Sequence, residues 1–600
     1  MANNRIYILA LALTCSCGLS AQAVDDFDRF MNEELTDFDR FIDKANQEFI
    51  EFLRDPWKEF ESEKPVVKRK KPEPPKPVVF DESKEPSKPT PVQLTIEEIL
   101  GITTAEGGQR PTITVGGGEE VDFDCNSPVT TPATPAKPDC AKEKPKRPAA
   151  PGKPEGGVDV AVTPKPARPA APGKPEGGVD VAVTPKPARP AAPGKPEGGV
   201  DVAVTPRPAR PTEPVCPENV DEPTDMPNVP VTVPAEKPGK PSKDKVEVAY
   251  CGMKLYFDKA LNGTCKMRNI SENAVADNYE SMSRADYQTL VAEIAKTRKS
   301  LGLNDWAETV LIKNISDVLC GGDASSSVVM QHFLLTERGY KARMAMSANK
   351  TGMMLFVAVD CMIYARPYIT LDGSKYYNMS STEACPFYMC EKSSSKSRNM
   401  VSMYLDTPLQ LNDGMVSTTH TNKAGTVSVT VDVPKSLMSF YKDMPQCDYS
   451  VYSKAKVNPY VENKLLTSLS KAIAGKSETD AANMLINFVQ TGFKYATDQE
   501  QFGYEKPFFV EELFYYPYCD CEDRSILYAY LVRRLLGLDV VYLDYPQHIA
   551  TAVCFKGNVQ GDFVMVDGRK YIVCDPTYIG ASIGNTMPQF RNVAAKVLKY

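Results

Sequence analysis

The chain has 600 residues, a formal net charge of −7 at pH 7 and three histidines, His332, His420 and His548. The length suits two or three domains. The mild negative charge, with no basic face or nucleic-acid motif, argues against nucleic-acid binding, and so few histidines argue against a multi-histidine metal centre.

Residues 1–23 read as a secretory signal: Arg5 gives a positive start, Ile6 to Leu13 a short apolar run, and Ala21-Gln22-Ala23 a small-x-small cleavage site. The run is too short to span a bilayer, and no later segment is long and apolar enough for a transmembrane helix. The expected product is exported to the periplasm, cell surface or medium after cleavage near Ala23. Cys15 and Cys17 raise a lipoprotein alternative, but neither follows a Leu-small-small box. An exported chain is free to form disulfides. The cysteine spacings, Cys385 to Cys390 and Cys519-x-Cys521, do not resemble a zinc site.

Residues 24–62 are acidic and aromatic. Phe27, Phe30, Phe38, Phe41, Ile42, Phe49, Phe52, Leu53 and Phe60 recur at mostly helical spacing, which predicts an amphipathic helix or helix pair. It packs on itself or on the globular part, or else docks an envelope partner. Its acidity disfavours an anionic membrane.

Residues 63–243 are proline-rich and carry a tandem repeat of period 21 starting at Arg147, Arg168 and Arg189, with a truncated start at Arg210. Each unit offers only Val-x-Val-x-Val between prolines and glycines, too little apolar surface to offset the entropy of ordering. This stretch is expected to be an extended, largely disordered spacer.

Residues 244–433 read as an α+β domain. Val246–Tyr256 alternates like a strand, Tyr287–Leu301 and Trp306–Leu319 have helical patterns, and Lys341 to Val433 is strand-rich. Residues 434–600 form a second unit, with helical patterns at Tyr460–Ala474 and Glu478–Thr491.

The last ninety residues carry the clearest chemistry. Ile526, Tyr530, Leu531 and Leu535 mark a helical stripe. Asp520 is placed to cap its start, Asp523 suits the first turn and Gly537 suits the C-terminal cap. Cys521 therefore falls at a helix N-terminus, where the backbone dipole favours thiolate, although Glu522 and Asp523 oppose it locally. Strands are predicted at Val540–Leu543, Ile549–Phe555, Phe563–Val566 and Tyr571–Cys574, with Asp567-Gly568 as a tight turn. His548 opens one strand and Asp575-Pro576-Thr577 closes another. A helix-borne Cys facing strands that carry His and then Asp is the arrangement of thiol catalysis: His moves the thiol proton and Asp fixes the imidazole. Cys519 is a rival nucleophile or a disulfide partner.

Cys-x-Asp at a helix start, a downstream strand His and a later Asp-Pro-Thr resemble the transglutaminase-like superfamily of papain-type folds. The resemblance covers roughly Phe493–Gly584. It implies a helix packed on an antiparallel sheet, Cys521 as nucleophile, His548 as base, Asp575 as its orienter, an oxyanion hole using the Cys521 backbone N–H, with Gln501 as a further candidate donor, and no cofactor or metal. Cys519 and the run Ile549-Ala550-Thr551 stand where the family often has a glycine and an aromatic.

An internal comparison aligns Gly339 with Gly537. Asp323 then falls under Cys521, the His position near Lys350 and the Asp position near Asn378. This predicts a degenerate transglutaminase-like unit in residues 244–433, with a similar helix and sheet. Two functions follow as expectations. One is an exported thiol enzyme that hydrolyses or transfers peptide or carboxamide bonds, including cell-wall peptides and glutamine side chains. The other is an inactive envelope scaffold that uses papain-like domains on a long spacer.

Overall fold

The structure, a computed structural model, describes residues 43–67, 77–86, 88–100, 113–115, 119–121 and 240–600. The expected signal segment, the aromatic positions Phe27 to Ile42 and the tandem repeats lie outside the described residues. The globular part is mixed α+β, with helices laid on antiparallel sheets. No helix among the described residues is long and apolar enough to cross a membrane.

The acidic aromatic segment is helical over 43–54 (α1). Its stripe residues Phe49 and Leu53 are buried. Phe49 stacks on His332 at 5.6 Å and meets Tyr279 edge-on, and Arg54 pairs with Asp277 and Glu280. The segment thus packs on the globular part. Its end departs from the helical expectation: Lys58–Glu61, which includes Phe60, is a strand (β1) at the edge of a six-stranded sheet.

A hairpin, β2 (Lys245–Tyr250) and β3 (Met253–Asp258), replaces the single strand expected over this stretch. Four helices follow: α2 (Glu272–Ser283), α3 (Gln288–Leu301), α4 (Asp305–Leu319) and α5 (Ala324–Glu337). Then come β4 (Ala342–Ser347), β5 (Met353–Ala358), β6 (Tyr368–Leu371), β7 (Ser374–Asn378) and β8 (Pro386–Met389). The strand order of this first sheet is β1-β8-β4-β5-β7-β6.

A second hairpin, β9 (Met415–Thr421) and β10 (Ser428–Pro434), leads to α6 (Lys435–Lys442), α7 (Tyr449–Lys454), α8 (Pro459–Ile473) and α9 (Glu478–Gly492). The C-terminal unit then runs α10 (Cys521–Leu536), β11 (Asp539–Tyr545), β12 (His548–Cys554), β13 (Phe563–Val566), β14 (Arg569–Cys574) and β15 (Lys596–Leu598). The order of the second sheet is β13-β14-β12-β11-β15. The two sheets share one plan. β8-β4-β5-β7-β6 corresponds strand for strand to β15-β11-β12-β14-β13, every pairing is antiparallel, and α5 and α10 each precede the first strand of their set.

Local chemistry sets the limits of the site-bearing elements. The Asp520 N–H donates to Asp523 Oδ2 at 3.2 Å, which closes the first turn of α10. Gly537 ends the helix in the left-handed region, with φ 63°. Asp567 and Gly568 both have positive φ, which gives the tight turn between β13 and β14 the twist that a two-residue hairpin needs. Alternation then divides the sheet. Val540, Tyr542, Ile549, Val553 and Ile572 belong to the core that includes α10, while Leu543, Tyr545, Ala550, Ala552 and Val573 belong to a second core with Tyr578, Met587 and Phe590.

Part of the expected spacer belongs to this second core. Val79, Pro91 and Leu94 form parallel bridges to Ile579, Phe563 and Ala595. Phe80 meets Tyr578 edge-on, the Tyr578 hydroxyl donates to Glu85, and Glu85 pairs with Arg591. Four apolar residues, Val78, Phe80, Val92 and Leu94, pack against the cluster. Residues 77–100 are therefore a strap on the C-terminal sheet, because these side chains are buried by a remote surface rather than by their own neighbours.

Candidate active site

Cys521 is the first residue of α10, His548 opens β12 and Asp575 follows the last residue of β14. All three are buried, with exposures of 2%, 1% and 4%. His548 Nε2 and Asp575 Oδ2 are 2.8 Å apart. Asp575 Oδ1 accepts the Thr577 N–H at 2.9 Å, so the Asp-Pro-Thr turn holds the second oxygen of the carboxylate while the first meets the imidazole. Alternation along β12 turns Ile549 toward α10 and His548 to the other side, where its ring stacks on Phe590 at 4.9 Å and lies parallel to Tyr545. Nε2 is engaged by Asp575, so Nδ1 is the ring nitrogen outside that pair.

The Cys521 thiol donates to the Glu522 carboxylate at 3.0 Å. The structure thus joins His548 and Asp575 directly and turns the thiol of the third expected member toward an acid. One helical turn further on, Ser525 Oγ donates to the Ile549 carbonyl at 3.0 Å, which pins the start of α10 beside the start of β12. A narrow cavity next to this junction is lined by Tyr449, Glu522, Ile526, Tyr542, Ile549 and Tyr600.

The surroundings are acidic. Asp498, Asp520, Glu522 and Asp523 are all buried. Burial, then the Asp523 and Glu522 charges, push Asp498 up to about 10. Burial followed by neighbouring carboxylates raises Asp520 and Asp523 well above the usual range. Ligand atoms of Asp498, Glu505 and Glu522 lie within 4.8 Å of one another, as do those of Asp520, Cys521 and Glu522, so these residues could hold a cation. Asp523 has a structural task, since its Oδ1 accepts the Phe508 N–H at 2.9 Å. That accounts for the Asp of Cys-x-Asp without a catalytic role.

The rival thiol is less suited to attack. Cys519 is buried, hydrogen-bonds the Lys494 carbonyl, and is pushed up to about 11, mainly by burial. Gln501 does not supply an oxyanion donor in this arrangement, because both ends of its amide bond the Tyr518 backbone, at 3.3 and 3.2 Å. The other two histidines are structural. His332 is buried in α5 and lowered to about 3 by burial and then by Arg343, and His420 bonds the Gly492 carbonyl.

Two residues that the sequence did not single out brace the dyad. Gln490, at the end of α9, donates to the carbonyls of Asp575 and Ala581 at 3.2 and 3.0 Å and accepts the Gly580 N–H at 3.1 Å. Arg524 is fully buried, donates to the Phe493 and Gln490 carbonyls and lies over the Tyr495 ring. The only hint of either in the sequence is a polar residue beside an apolar helical stripe.

The first sheet shifts the expected internal alignment, by one position at the Cys and Asp places and by three at the His place. The N-caps Asp323 and Asp520 correspond, so Ala324, not Asp323, takes the place of Cys521. The hairpin-closing pairs Met353↔Met346 and His548↔Tyr545 correspond, so Met353, not the turn residue Lys350, takes the place of His548. Phe356↔Asn378 matches Thr551↔Cys574, so the Asp575 position is Met379 rather than Asn378. All three polar positions are apolar in the first unit. No protein-family model, curated protein or solved structure matches the chain.

Proposed function

We propose that the protein is an exported thiol enzyme of transglutaminase-like type, with residues 434–600 as the catalytic unit and residues 244–433 as a degenerate copy. The observation that carries this reading is the buried His548–Asp575 pair, 2.8 Å apart, at the start of β12 and just past the end of the adjacent β14, in a unit whose helix starts at Cys521.

In this mechanism the Cys521 thiol leaves Glu522, swings past the end of β12 to the face that carries His548, and passes its proton to Nδ1. The thiolate attacks the carbonyl carbon of a peptide or carboxamide bond. The Cys521 backbone N–H, at the start of the helix, stabilises the oxyanion. Collapse breaks the C–N bond, and the imidazolium returns the proton to the departing amine. Water, or an amine in the transfer reaction, gives its proton to His548 as it attacks the thioester, and the thiol is released. Asp575 holds the ring and stabilises the imidazolium. Peptides, including cell-wall peptides, and glutamine side chains are the candidate substrates, with hydrolysis the default outcome.

The burial of Cys521 and His548 favours a second reading, in which both units are binding modules of an envelope scaffold. Labelling with iodoacetamide across pH separates the two. Rapid modification of Cys521 near or below neutral pH, lost in His548→Ala, supports the enzyme. Labelling with the profile of an ordinary thiol, unchanged in His548→Ala, sinks the enzyme reading in favour of the scaffold.

A further inference from the structure

Eleven cysteines lie among the described residues, all as thiols. Four of them form two contacting pairs, remote from the Cys521 site in sequence. Cys265 follows the β2–β3 hairpin, and Cys320 caps the C-terminus of α4. Cys320 is the neighbour that most raises the Cys265 thiol. The Cys265 thiol also faces the Ser326 carbonyl at 3.3 Å, and the Cys320 sulfur faces Met330 Sδ at 3.9 Å, so both are held against α5. The second pair joins the two halves of the globular part. Cys361 follows β5, Cys447 lies between α6 and α7, and Cys447 is the neighbour that most raises the Cys361 thiol. Backbone contacts hold these segments side by side: Ile363 and Cys447 form a bridge, the Tyr364 N–H donates to the Gln446 carbonyl at 2.9 Å, and the Met362 N–H donates to Asp448 Oδ2 at 3.1 Å.

We infer that Cys265–Cys320 and Cys361–Cys447 are oxidation sites that close into two disulfides in the exported protein. Each pair has one buried and one half-buried member. Cys320 and Cys361 are the half-buried ones, Cys265 and Cys447 the buried ones. That asymmetry sets the order of exchange. An external disulfide, on a protein or a small thiol compound, is attacked by the accessible sulfur and gives a mixed disulfide and one released thiol. The buried partner then attacks the mixed disulfide, forms the intramolecular S–S bond and releases the second thiol. Two protein thiols lose two protons and two electrons, and the external disulfide gains them as two thiols. The neighbouring cysteine, then burial, raise the Cys265 and Cys361 thiols, so uncatalysed closure at neutral pH is slow. Three other thiols of the proposed catalytic unit face other acceptors: Glu522 for Cys521, the Lys494 carbonyl for Cys519 and the Ile572 carbonyl for Cys574. Oxidation therefore staples the frame and leaves the proposed nucleophile reduced. Because Cys447 lies just before α7, whose Tyr449 hydroxyl reaches Glu522, the second staple also fixes a neighbour of Cys521.

The test uses the full chain, purified reduced, then incubated with a mixture of oxidised and reduced glutathione. Remaining thiols are capped with N-ethylmaleimide, and the protein is digested without reduction and mapped by mass spectrometry. Two linked peptide pairs are expected, Cys265 with Cys320 and Cys361 with Cys447, with maleimide on the Cys521 peptide. Maleimide on all four residues, or any other pairing among them, overturns the inference. Cys361→Ser supplies a second readout. Its Tm is expected to match that of the wild type when both are reduced and to fall below it when both are oxidised. Equal Tm after oxidation overturns the second staple. Neither readout depends on the reactivity of Cys521, so the thiol-enzyme reading stands or falls separately. Secretion of the same chain into a bacterial periplasm tests where closure occurs. Linked peptides in the secreted protein are expected, and capped thiols there overturn closure on export.

Discussion

The Gln490 side chain donates to the main-chain carbonyl of Asp575, so the residue that orients His548 is held through its own backbone by the end of a helix. The same amide bonds Ala581 and Gly580, which makes one buried side chain the clasp of the whole turn. Gln490→Leu keeps the volume and leaves three backbone groups unpaired. It is expected to cost about 2–4 kcal/mol in urea unfolding and to slow Cys521 labelling as well. A stability loss with unchanged labelling would separate the clasp from the dyad.

Asp575→Ala removes the partner of His548 Nε2 and frees the ring to rotate. The expected result is a fall of about tenfold or more in the pH-dependent reactivity of Cys521, with the circular dichroism spectrum retained. Asp575→Asn retains an oxygen acceptor and is expected to lose less. Stopped-flow alkylation of both variants is the measurement.

Arg524→Met replaces a buried guanidinium with a chain of similar length. The Phe493 and Gln490 carbonyls lose their donor, and the Tyr495 ring loses the guanidinium above it. Destabilisation of about 2–4 kcal/mol is expected from thermal or urea unfolding.

Burial pushes Glu511 up to about 7, while backbone N–H groups, one of them from Asn458 at 2.7 Å, partly oppose the shift. Its folded value is raised, so the neutral form is favoured in the native state. The stability it contributes is fully present below the unfolded value of about 4.3 and is lost as pH rises through about 7. The slope in that window is at most about 1.4 kcal/mol per pH unit. Glu511→Gln mimics the neutral acid, and its urea midpoint is expected to stay flatter than that of the wild type between these pH values.

Phe49→Ala empties the slot between His332 and Tyr279. A loss of about 3 kcal/mol is expected for a buried ring of this kind, read as a lowered Tm of the full chain together with faster proteolysis within residues 43–67.

Much of the C-terminal unit was legible because its signals are local. Asp520 and Gly537 mark both ends of α10, Asp567-Gly568 places a turn, and alternation divides Val540 to Leu543 between two cores. What escaped the sequence depends on remote partners. Phe60 fits a helical stripe, but β1 is defined by pairing with β8, more than three hundred residues away. Val78, Phe80, Val92 and Leu94 are too sparse among prolines to suggest a core, yet the second sheet buries them. Gln490 and Arg524 show their purpose only when the carbonyls they meet arrive from other elements. At the helix start the internal alignment slipped by one because α5 and α10 differ in length while their N-caps correspond.

The strap has a mechanical consequence for the repeat-bearing stretch that follows it. Residues 77–100 end on the C-terminal sheet, where Glu98 accepts the Val597 N–H, and β2 is anchored where the Tyr250 hydroxyl bonds the Ala307 carbonyl. The chain between leaves and returns to one body. A single cut anywhere between them leaves both moorings, and both folded sheets, in place.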